Sequence, residues 1–451
     1  MLFGAATFAV DLVVSPATPA PRVSPGFLAS AGWYCPARSG DGVDAWMTAA
    51  NLGRRTVRLR RLAVGDGAES PSADANLAPR RKNSLALSQF NSPNALGLTE
   101  AFGGGITADI GLVSKGKGVG SSLCSDQPGD RWLFATGSTT RRQDTYLLVG
   151  NPFQEEAVIQ VKVLQPDKEL LPTRLKDFVV PALSQVSLYL SDFLLETPSF
   201  GIEVTATQGR IVASRYLEYA TREGVRGTSL SAGLRQPEVA FHFAGGAVPA
   251  DGEETLVLVN PNPKEALLNV IFQTDAAQVA PTQLDEVAVP AGRQVKLKIS
   301  DFLPRGTLHG TKVFSTNGIG VVAERETVAA IPGGKGYETV FGVPGPSRRW
   351  VVTAGSSAAS SDSLAIVNNG KARASVDIAL LLDKSESRPK PLRAVRVDSD
   401  RRQTVDLTPH LPPGGATAVV TSVKEAITVE NQVVLGPPYS DFAASPGKAV
   451  P

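Results

Sequence analysis

Short apolar or alternating apolar–polar runs fill most of the chain, and Gly, Pro, Asn and Asp separate one run from the next. Residues 241–325 contain seven such runs: FHFAG, ETLVLVN, ALLNVIFQ, LDEVAVP, RQVKLKI, TKVFST and IGVVAER. Alternation with a period of two is typical of a strand with one buried face, and a continuous short apolar run suits a fully buried strand. The pattern predicts short β-strands joined by turns.

This pattern recurs four times along the chain. Each copy opens on an aromatic residue, and an apolar run about 18 residues later ends in asparagine. The opening residues are Trp33, Trp132, Phe241 and Trp350, and the asparagines are Asn51, Asn151, Asn260 and Asn368. The asparagines are separated by 100, 109 and 108 residues. A side chain that can bond its own backbone suits the turn after each strand. A regular period of this kind indicates internal repeats.

Two further markers keep the same register. A Leu-rich run ends at Phe90, Phe193 and Phe302, with His410 in the fourth copy, and a late hairpin ends at Arg215, Arg325 and Asn431. Seven strands in about 100 residues match an immunoglobulin-like β-sandwich. A propeller blade, the alternative, carries four strands in about 40–50 residues.

We therefore predict an all-β chain of four tandem immunoglobulin-like β-sandwich domains arranged in series. Their predicted bounds are 27–126, 127–235, 236–345 and 346–438. An apolar stub and Pro-rich linker (1–26) precede them, and a loose tail (439–451) follows.

Length and charge agree with this organisation. A chain of 451 residues is expected to form three or four domains. The net charge of +2 provides no broad basic field, so we expect no nucleic acid among the partners.

The apolar run Leu2–Val10 leaves two interpretations open. It is too short to span a membrane and lacks the basic start of a secretory signal. It is either a disordered terminus or the remnant of a signal or anchor, and the Pro-rich spacer after it favours an N-terminal membrane tether.

Cys35 and Cys124 lie near the two ends of the first repeat. They are either two buried thiols or one disulfide. We favour the disulfide, because the first repeat has the weakest strand pattern and gains most from a bridge. A disulfide implies an oxidising compartment outside the cytoplasm.

Few residues suggest chemistry, and we expect no catalytic residue, metal or cofactor. His242, His309 and His410 are far apart, and no nucleophile elbow surrounds a serine. Asp192 and Asp301 occupy equivalent places in separate repeats, so they indicate a turn or short helix rather than a paired-carboxylate site. GKGVG at 116–120 lacks the Lys-Ser/Thr of a phosphate-binding loop. The opening aromatics should pack in the core.

The first repeat also contains a cluster of basic residues. Its members are Arg54, Arg55, Arg58, Arg60, Arg61, Arg80, Arg81 and Lys82. Alternation of Arg58 and Arg60 with apolar residues suits a strand with one solvated face, which is the simpler interpretation. The functional hypothesis is a patch for an anionic partner.

The motif WLFATGSTT, followed by DTYLLVGNPFQEEAVIQVKVL, VPALSQVSLYLSDF and GRIVAS, resembles an uncharacterised family of secreted or membrane-anchored actinobacterial proteins. Repeats of that family open with Trp-aromatic-x-Ala-x-Gly-Ser-Thr and continue into a strand that ends in Asn-Pro. The WYC and SSLCS stretches are similar to the family's N-terminal portion. The resemblance covers residues 30–435 and loosens in the fourth copy, where Asn368–Asn369 replaces Asn-Pro. It implies an envelope or extracellular location and a structural or binding role, with no assigned activity.

Three functions follow as hypotheses. The first is a non-enzymatic extracytoplasmic envelope protein that acts as a spacer or protein-binding module, with an envelope protein or an anionic cell-wall polymer as partner. The second is a carbohydrate-binding or adhesive surface protein. The third, for which the sparse histidines give little support, is a hydrolase with a site between domains.

Overall fold

The computed structural model describes residues 31–40, 42–90, 94–221, 224–355, 359–437 and 441–450. Within these ranges the elements are β-strands and short 3-10 helices, so the predicted all-β class is confirmed. No helix among the described residues is long and apolar enough to cross a membrane. The predicted stub and linker at 1–26, with the run Leu2–Val10, lie outside the described residues.

The strands fall into four successive units. The first contains β1 (Ala31–Pro36), β2 (Val43–Asn51), β3 (Val57–Gly65), β4 (Ala68–Glu69), β5 (Ala73–Leu77), β6 (Lys82–Ala86), β7 (Leu96–Phe102), β8 (Ile106–Ser114) and β9 (Gly118–Leu123). The second contains β10 (Arg131–Phe134), β11 (Gln143–Asn151), β12 (Ala157–Leu164), β13 (Glu169–Leu170), β14 (Phe178–Val180), β15 (Ser184–Tyr189), β16 (Gly201–Gln208), β17 (Val212–Ala220) and β18 (Arg226–Ala232).

The third unit contains β19 (Ala240–Ala247), β20 (Gly252–Asn260), β21 (Ala266–Thr274), β22 (Gln278–Val279), β23 (Val287–Val289), β24 (Arg293–Lys298), β25 (Leu308–Ser315), β26 (Val322–Ile331) and β27 (Gly334–Phe341). The fourth contains β28 (Arg349–Ala354), β29 (Ser361–Asn368), β30 (Ala374–Leu381), β31 (Glu386–Ser387), β32 (Val395–Val397), β33 (Arg402–Asp406), β34 (Ala416–Ser422), β35 (Ile427–Leu435), β36 (Asp441–Pro446) and β37 (Lys448–Ala449). The 3-10 helices are Leu87–Phe90, Thr173–Leu175, Leu190–Asp192, Thr282–Leu284, Ile299–Asp301, Lys390–Leu392 and Thr408–His410.

Each unit is a sandwich of two antiparallel sheets. One sheet of each unit, called the inner sheet because it faces the other units, has the strand order β6-β2-β8-β9, β15-β11-β17-β18, β24-β20-β26-β27 or β33-β29-β35-β36. The outer sheet of the first unit has the order β1-β7-β3-β4, with β5 also paired to β3, and the other units repeat this arrangement. In the fourth unit β37 adds to the outer sheet beside β28. The predicted β-sandwich architecture is therefore confirmed.

The four opening aromatics lie in the cores, as predicted. Trp33, Trp132, Phe241 and Trp350 are at most 5% exposed. The indole of Trp132 donates to Ile211 O at 3.0 Å, and that of Trp350 donates to Ile427 O at 2.8 Å. A buried indole N–H needs such a partner, and these bonds fix the start of the second and fourth units to their inner sheets.

The four repeated asparagines are fully buried and make one set of bonds. In each unit the side-chain amide donates to a backbone carbonyl four residues ahead, and the side-chain oxygen accepts the amide N–H two residues ahead. A second donation reaches the carbonyl of Leu77, Val180, Val289 or Val397. The predicted turn role of asparagine is confirmed, and the same side chain also ties the turn to the outer half of the sandwich.

The apolar pattern did not predict the last strand of each inner sheet. Strands β9, β18, β27 and β36 pack against one another around a common axis, and β36 contacts β9. The four units therefore close into a ring, so the expected arrangement in series is wrong. The expected loose tail at 439–451 is also wrong, because β36 and β37 belong to the fourth sandwich.

One repeated hydrogen bond joins every unit to the unit before it. At the same position of β6, β15, β24 and β33, a long polar side chain donates to a backbone carbonyl of the preceding unit. The four bonds are Gln185 Nε2 to Ala37 O (2.9 Å), Gln294 Nε2 to Ala135 O (2.7 Å), Arg402 Nε to Ala244 O (2.8 Å) and Lys82 Nζ to Gly414 O (2.8 Å). The last of these runs from the first unit to the fourth, which closes the ring.

Cys35 and Cys124 form the predicted disulfide, with Cα atoms 4.6 Å apart. The equivalent positions of the next two units hold a phenylalanine against a glycine: Phe134 with Gly233 and Phe243 with Gly342. A Cβ at either glycine would lie within 2.8 Å of the ring, so the glycine makes room for it. The disulfide therefore occupies the place that an aromatic ring fills in the second and third units.

This equivalence predicts how the bridge can be replaced. The double substitution Cys35→Ser with Cys124→Ser should lower the free energy of unfolding by about 4 kcal/mol, because the bridge closes a loop of 89 residues. Cys35→Phe with Cys124→Gly should recover part of that loss by restoring the packing seen in the other units. Urea unfolding followed by tryptophan fluorescence checks both variants. Equal stability of the two variants would contradict the equivalence.

Candidate functional site on the ring axis

The N-terminal ends of the four central strands meet at one carboxylate. In register, Gly118, Gly227 and Gly336 occupy the position that Asp441 occupies in the fourth unit. A Cβ on Gly118 would overlap Asp441 Oδ2, and one on Gly227 would lie 2.5 Å from Tyr337 O and 2.8 Å from Asp441 Oδ1. Only glycine leaves room for the aspartate, so three glycines and one aspartate form a single packing unit.

Asp441 binds the backbone of each of the other three units. Its Oδ2 accepts the N–H of Val119 at 2.9 Å and of Thr228 at 3.1 Å, and its Oδ1 accepts the N–H of Tyr337 at 3.3 Å. Burial raises the pKa of this carboxyl well above its usual range, while the backbone N–H groups oppose the rise. Because all of these partners are donors, the ionised carboxylate is the form that the geometry suits.

The inner sheets are joined by buried ion pairs at two of the four seams. At the seam between the second and third units, Arg215 donates to both carboxylate oxygens of Glu324 at 2.9 and 2.7 Å. At the seam between the third and fourth units, Arg325 donates in the same way to Glu430 at 3.2 and 2.5 Å. Such pairs orient two surfaces, although burial removes much of their net contribution to stability.

The other two seams depart from this rule. Ile110 of the first unit and Asn431 of the fourth occupy the position that Arg215 and Arg325 have in the other two units. Ser214 of the second unit and Asp109 of the first occupy the position of Glu324 and Glu430. Asp109 therefore lies at the seam between the fourth and first units, where its counterpart is Asn431 instead of an arginine. It is 5% exposed, and burial raises its pKa to about 7. This seam contains a buried carboxyl with no guanidinium bound to it among the described residues.

A pocket of about 380 Å³ opens at the other end of the axis, where the four central strands end. All four units line it. Leu230, Phe341, Trp350 and Ala444 give it an apolar wall, and the Cys124 half of the disulfide lies beside them. An ion pair at its margin, Lys448 with Asp126 at 3.3 Å, joins the fourth unit to the first. A concave, mostly apolar pocket with a polar margin is the usual form of a binding site.

The three histidines do not meet. His242 lies in the opening strand β19, and His410 ends a 3-10 helix. His309 lies in β25 and is fully buried. Its Nδ1 is 3.1 Å from Thr311 Oγ1 and its Nε2 is 3.0 Å from Glu254 Oε1. This chain of hydroxyl, imidazole and carboxylate resembles a hydrolytic triad in order, but Thr311 is only 3% exposed, so substrate has no access to the hydroxyl.

The recurrent aspartates behave as expected. Asp192 and Asp301 are exposed, and each ends a 3-10 helix of its own unit. No group of three potential metal-ligating side chains occurs in the part of the chain that the structure describes. The GKGVG stretch leads into β9, where Gly118 makes room for Asp441.

The structure divides the basic cluster of the first unit. Arg58 pairs with Asp74 at 2.7 Å, and Arg60 pairs with Glu69 and Glu100 at 3.2 and 3.0 Å. Arg61 is buried, and its Nη2 donates to Asn83 Oδ1 at 2.5 Å.

The remaining members lie elsewhere. Arg80 pairs with Glu386 of the fourth unit at 2.9 Å, and the buried Lys82 lies at the same seam, 3.4 Å from Asp383. Arg54 and Arg55 are exposed, and Arg81 is half-buried with its Nη1 donating to Arg80 O. Acids of the chain itself therefore pair with four of these eight residues, and the eight do not form one continuous free patch.

Residues 105–215 and 218–450 match the model of a family of unknown function, DUF5719. The chain belongs to that family. No curated protein is significantly similar to this DUF5719 protein.

Solved structures show only distant likeness to the DUF5719 protein. Thermotoga maritima 1070 is 16% identical over 24% of this chain and 95% of its own, with a TM-score of 0.22. The Anabaena sensory rhodopsin transducer is 20% identical over 20% of this chain and 96% of its own, with a TM-score of 0.17. An α-L-rhamnosidase of Streptomyces avermitilis is 10% identical over 72% of this chain and 46% of its own, with a TM-score of 0.13. None of these likenesses carries a functional argument.

Removal of the axial carboxylate should loosen the whole ring of the DUF5719 protein. Asp441→Ala leaves three buried N–H groups without their acceptor, and each costs about 1–3 kcal/mol. We expect a loss of at least about 3 kcal/mol in urea unfolding, with earlier proteolysis between units. The matched control Asp398→Ala, which removes an exposed acid of the fourth unit paired with Arg373, should leave both measurements unchanged.

The buried Asp109 should make the seam between the fourth and first units sensitive to pH. Its folded pKa of about 7 lies above the unfolded value of about 4. Below pH 4 both states hold the proton, and between pH 4 and 7 only the folded state keeps it, so the folded state loses stability as the pH rises.

The free energy of unfolding of Asp109→Asn, measured relative to the parent, should therefore increase from pH 4 to 7 and stay constant above pH 7. Asp109→Ser, the residue found at the same position of the second unit, should show the same trend. Urea unfolding at each pH measures the difference. A difference that does not change with pH would refute this account.

Proposed function

We propose that this DUF5719 protein is a non-enzymatic extracytoplasmic protein of the cell envelope that binds a partner protein at the open end of its ring axis. The axial pocket carries this proposal, because it exists only when all four units are in place. A site shared by four units gives a reason for keeping four linked copies in one ring.

The ring favours binding over a spacer role. Four sandwiches in series would provide reach, whereas β36 packed on β9 brings the last unit back to the first. Apolar contacts also continue across the seams, where Leu96 and Leu98 of the first unit pack in one cluster with Val149 of the second. A closed ring with a pocket on its axis suits recognition.

The alternatives receive less support. Carbohydrate binding through the opening aromatics requires exposed rings, and all four are buried. Hydrolysis at Thr311 requires access to a hydroxyl that is buried. An anionic polymer remains a candidate partner only through the exposed Arg54 and Arg55.

The disulfide and the repeat motif support the location. Cys35 and Cys124 are bridged, which suits an oxidising compartment. The opening motif of the repeats resembles that of actinobacterial envelope proteins, which supports the envelope of such an organism as the place of action.

Site-specific photocrosslinking in cells tests the proposal. A photoreactive phenylalanine analogue at Pro344 or Ala449, two exposed residues of the axial pocket, should give one discrete protein adduct. The control places the same analogue at Lys115, an exposed residue shortly before the start of β9 and so at the end of the axis opposite the pocket. It should not give that adduct. The same adduct from all three positions, or none from the axial positions, would reject the axial site.

The location has its own measurement. Cys35 and Cys124 should resist alkylation in unreduced protein taken from its native compartment. Two freely alkylated thiols in folded protein would argue against an oxidising compartment.

A further inference from the structure

A second pocket lies at the seam between the third and fourth units. Its volume is about 330 Å³. Apolar residues of both units form its walls: Pro249, Ala329, Ile331, Val434 and Phe442. Three acidic residues line it, Asp251, Glu254 and Glu338, and its lining contains neither lysine nor arginine. Asp251 pairs with Lys335 at 2.5 Å, so Glu254 and Glu338 carry the negative charge of the pocket beside its apolar wall.

Two buried polar atoms lie together in its lining. Thr327 and Glu338 face each other in register across β26 and β27. They are 4% and 2% exposed, and among the described residues Thr327 Oγ1 and Glu338 Oε2 have no hydrogen-bond partner. The other oxygen, Glu338 Oε1, accepts from Arg325 Nη2 at 3.1 Å. A buried hydroxyl and carboxylate oxygen without partners are costly unless a ligand supplies donors.

This polar pair is a departure from the repeat. The equivalent cross-strand pairs are Leu112 with Gly120, Leu217 with Ser229, and Val433 with Ala443. Three units therefore place an aliphatic residue opposite a small one, and only the third places a hydroxyl opposite a carboxyl. Packing of the ring does not demand the polar pair, since the other units pack without it.

The charges around Glu338 leave one carboxylate underpaired. Arg325 of β26 lies 3.7 Å from Glu254, 3.1 Å from Glu338 and 2.5 Å from Glu430, so one guanidinium serves three acids. His309 of β25 pairs with Glu254, and Arg402 of β33 donates to Ala244 O and Thr404. Burial raises the pKa of Glu338 to about 7, and Glu430 and Glu254 add to that rise while Arg325 opposes it. A further cation at Glu338 would restore the balance.

We propose that this pocket binds the primary ammonium group of an alkylamine, with the N–H donors directed to Glu338 Oε2 and Thr327 Oγ1 and the alkyl chain against Phe442 and Ile331. An ammonium carries three donors and one positive charge, which match a carboxylate and a hydroxyl. The chemistry is the same for a free amine and for a lysine side chain of a partner. This site is separate from the axial pocket and does not depend on it.

Isothermal titration calorimetry with n-butylammonium chloride tests the proposal. The parent should bind one equivalent saturably, n-butanol should bind at least tenfold more weakly because it lacks the charge, and ammonium chloride should also bind more weakly because it lacks the chain. The association constant should rise as the pH increases through 7, because Glu338 loses its proton. Nα-acetyl-lysine methylamide distinguishes the sources: tighter binding than butylammonium indicates a peptide ligand, and weaker binding indicates a free amine.

Matched variants locate the binding. Glu338→Gln keeps the size of the side chain and should lower the association constant at least tenfold, and Thr327→Val should lower it about threefold. Glu253→Gln removes an exposed acid from the neighbouring strand β20 and should change nothing. Ala330→Phe, at an exposed wall residue, should block the pocket even if Glu338→Gln fails to fold. No saturable binding to the parent, equal binding of butanol, or full affinity in both Glu338→Gln and Ala330→Phe would overturn the proposal.

Discussion

The hydrogen bonds of the Asp441 carboxylate are the interaction on which the ring depends. Backbone N–H groups at Val119, Thr228 and Tyr337 converge on it from three units, while its own strand belongs to the fourth. A charge taken out of water needs several donors to compensate it, and here they come from every other member of the ring. The glycines at the equivalent positions are necessary because any side chain there would fill the space of the carboxylate.

The four seams share one framework and differ in their polar contents. Each has a side chain on β6, β15, β24 or β33 that donates to the preceding unit: Lys82, Gln185, Gln294 or Arg402. Two seams add a buried Arg–Glu pair. The seam between the first and second units has the pair Lys117 with Glu218 at 2.5 Å, and the seam between the fourth and first units holds the buried Asp109. The seam between the third and fourth units also contains the polar pocket at Glu338. Such differences allow each seam to have its own stability and its own ligand.

The sequence predicted what is local in the fold and missed what is shared between units. The asparagine turns, the buried aromatics and the disulfide each depend on residues whose chemistry is visible within one repeat. The central strands are rich in Gly, Ser and Ala, as in GVGSSL of β9, so they lack the apolar signal of a strand. Their burial comes from neighbouring units, which a pattern within one repeat does not reveal.

A signal for the axis was nevertheless present. Gly118, Gly227 and Gly336 recur at 109-residue intervals, the spacing of the other markers, and the fourth copy breaks the series with Asp441. The buried pair Thr327 and Glu338 could not be found in this way, because a threonine and a glutamate on strands are ordinary surface residues in a sequence. They are buried in the fold, beside the seam between the third and fourth units.

The single axial aspartate also bears on why the four copies are joined covalently. In a ring of four identical subunits, a substitution at this position appears four times. Four carboxylates would then meet at one point, with mutual repulsion and no glycine to make space. A single chain can instead place one acid and three glycines around the axis. Covalent fusion therefore permits a central anion that exact rotational symmetry forbids, and it fixes the number and order of the units in the same step.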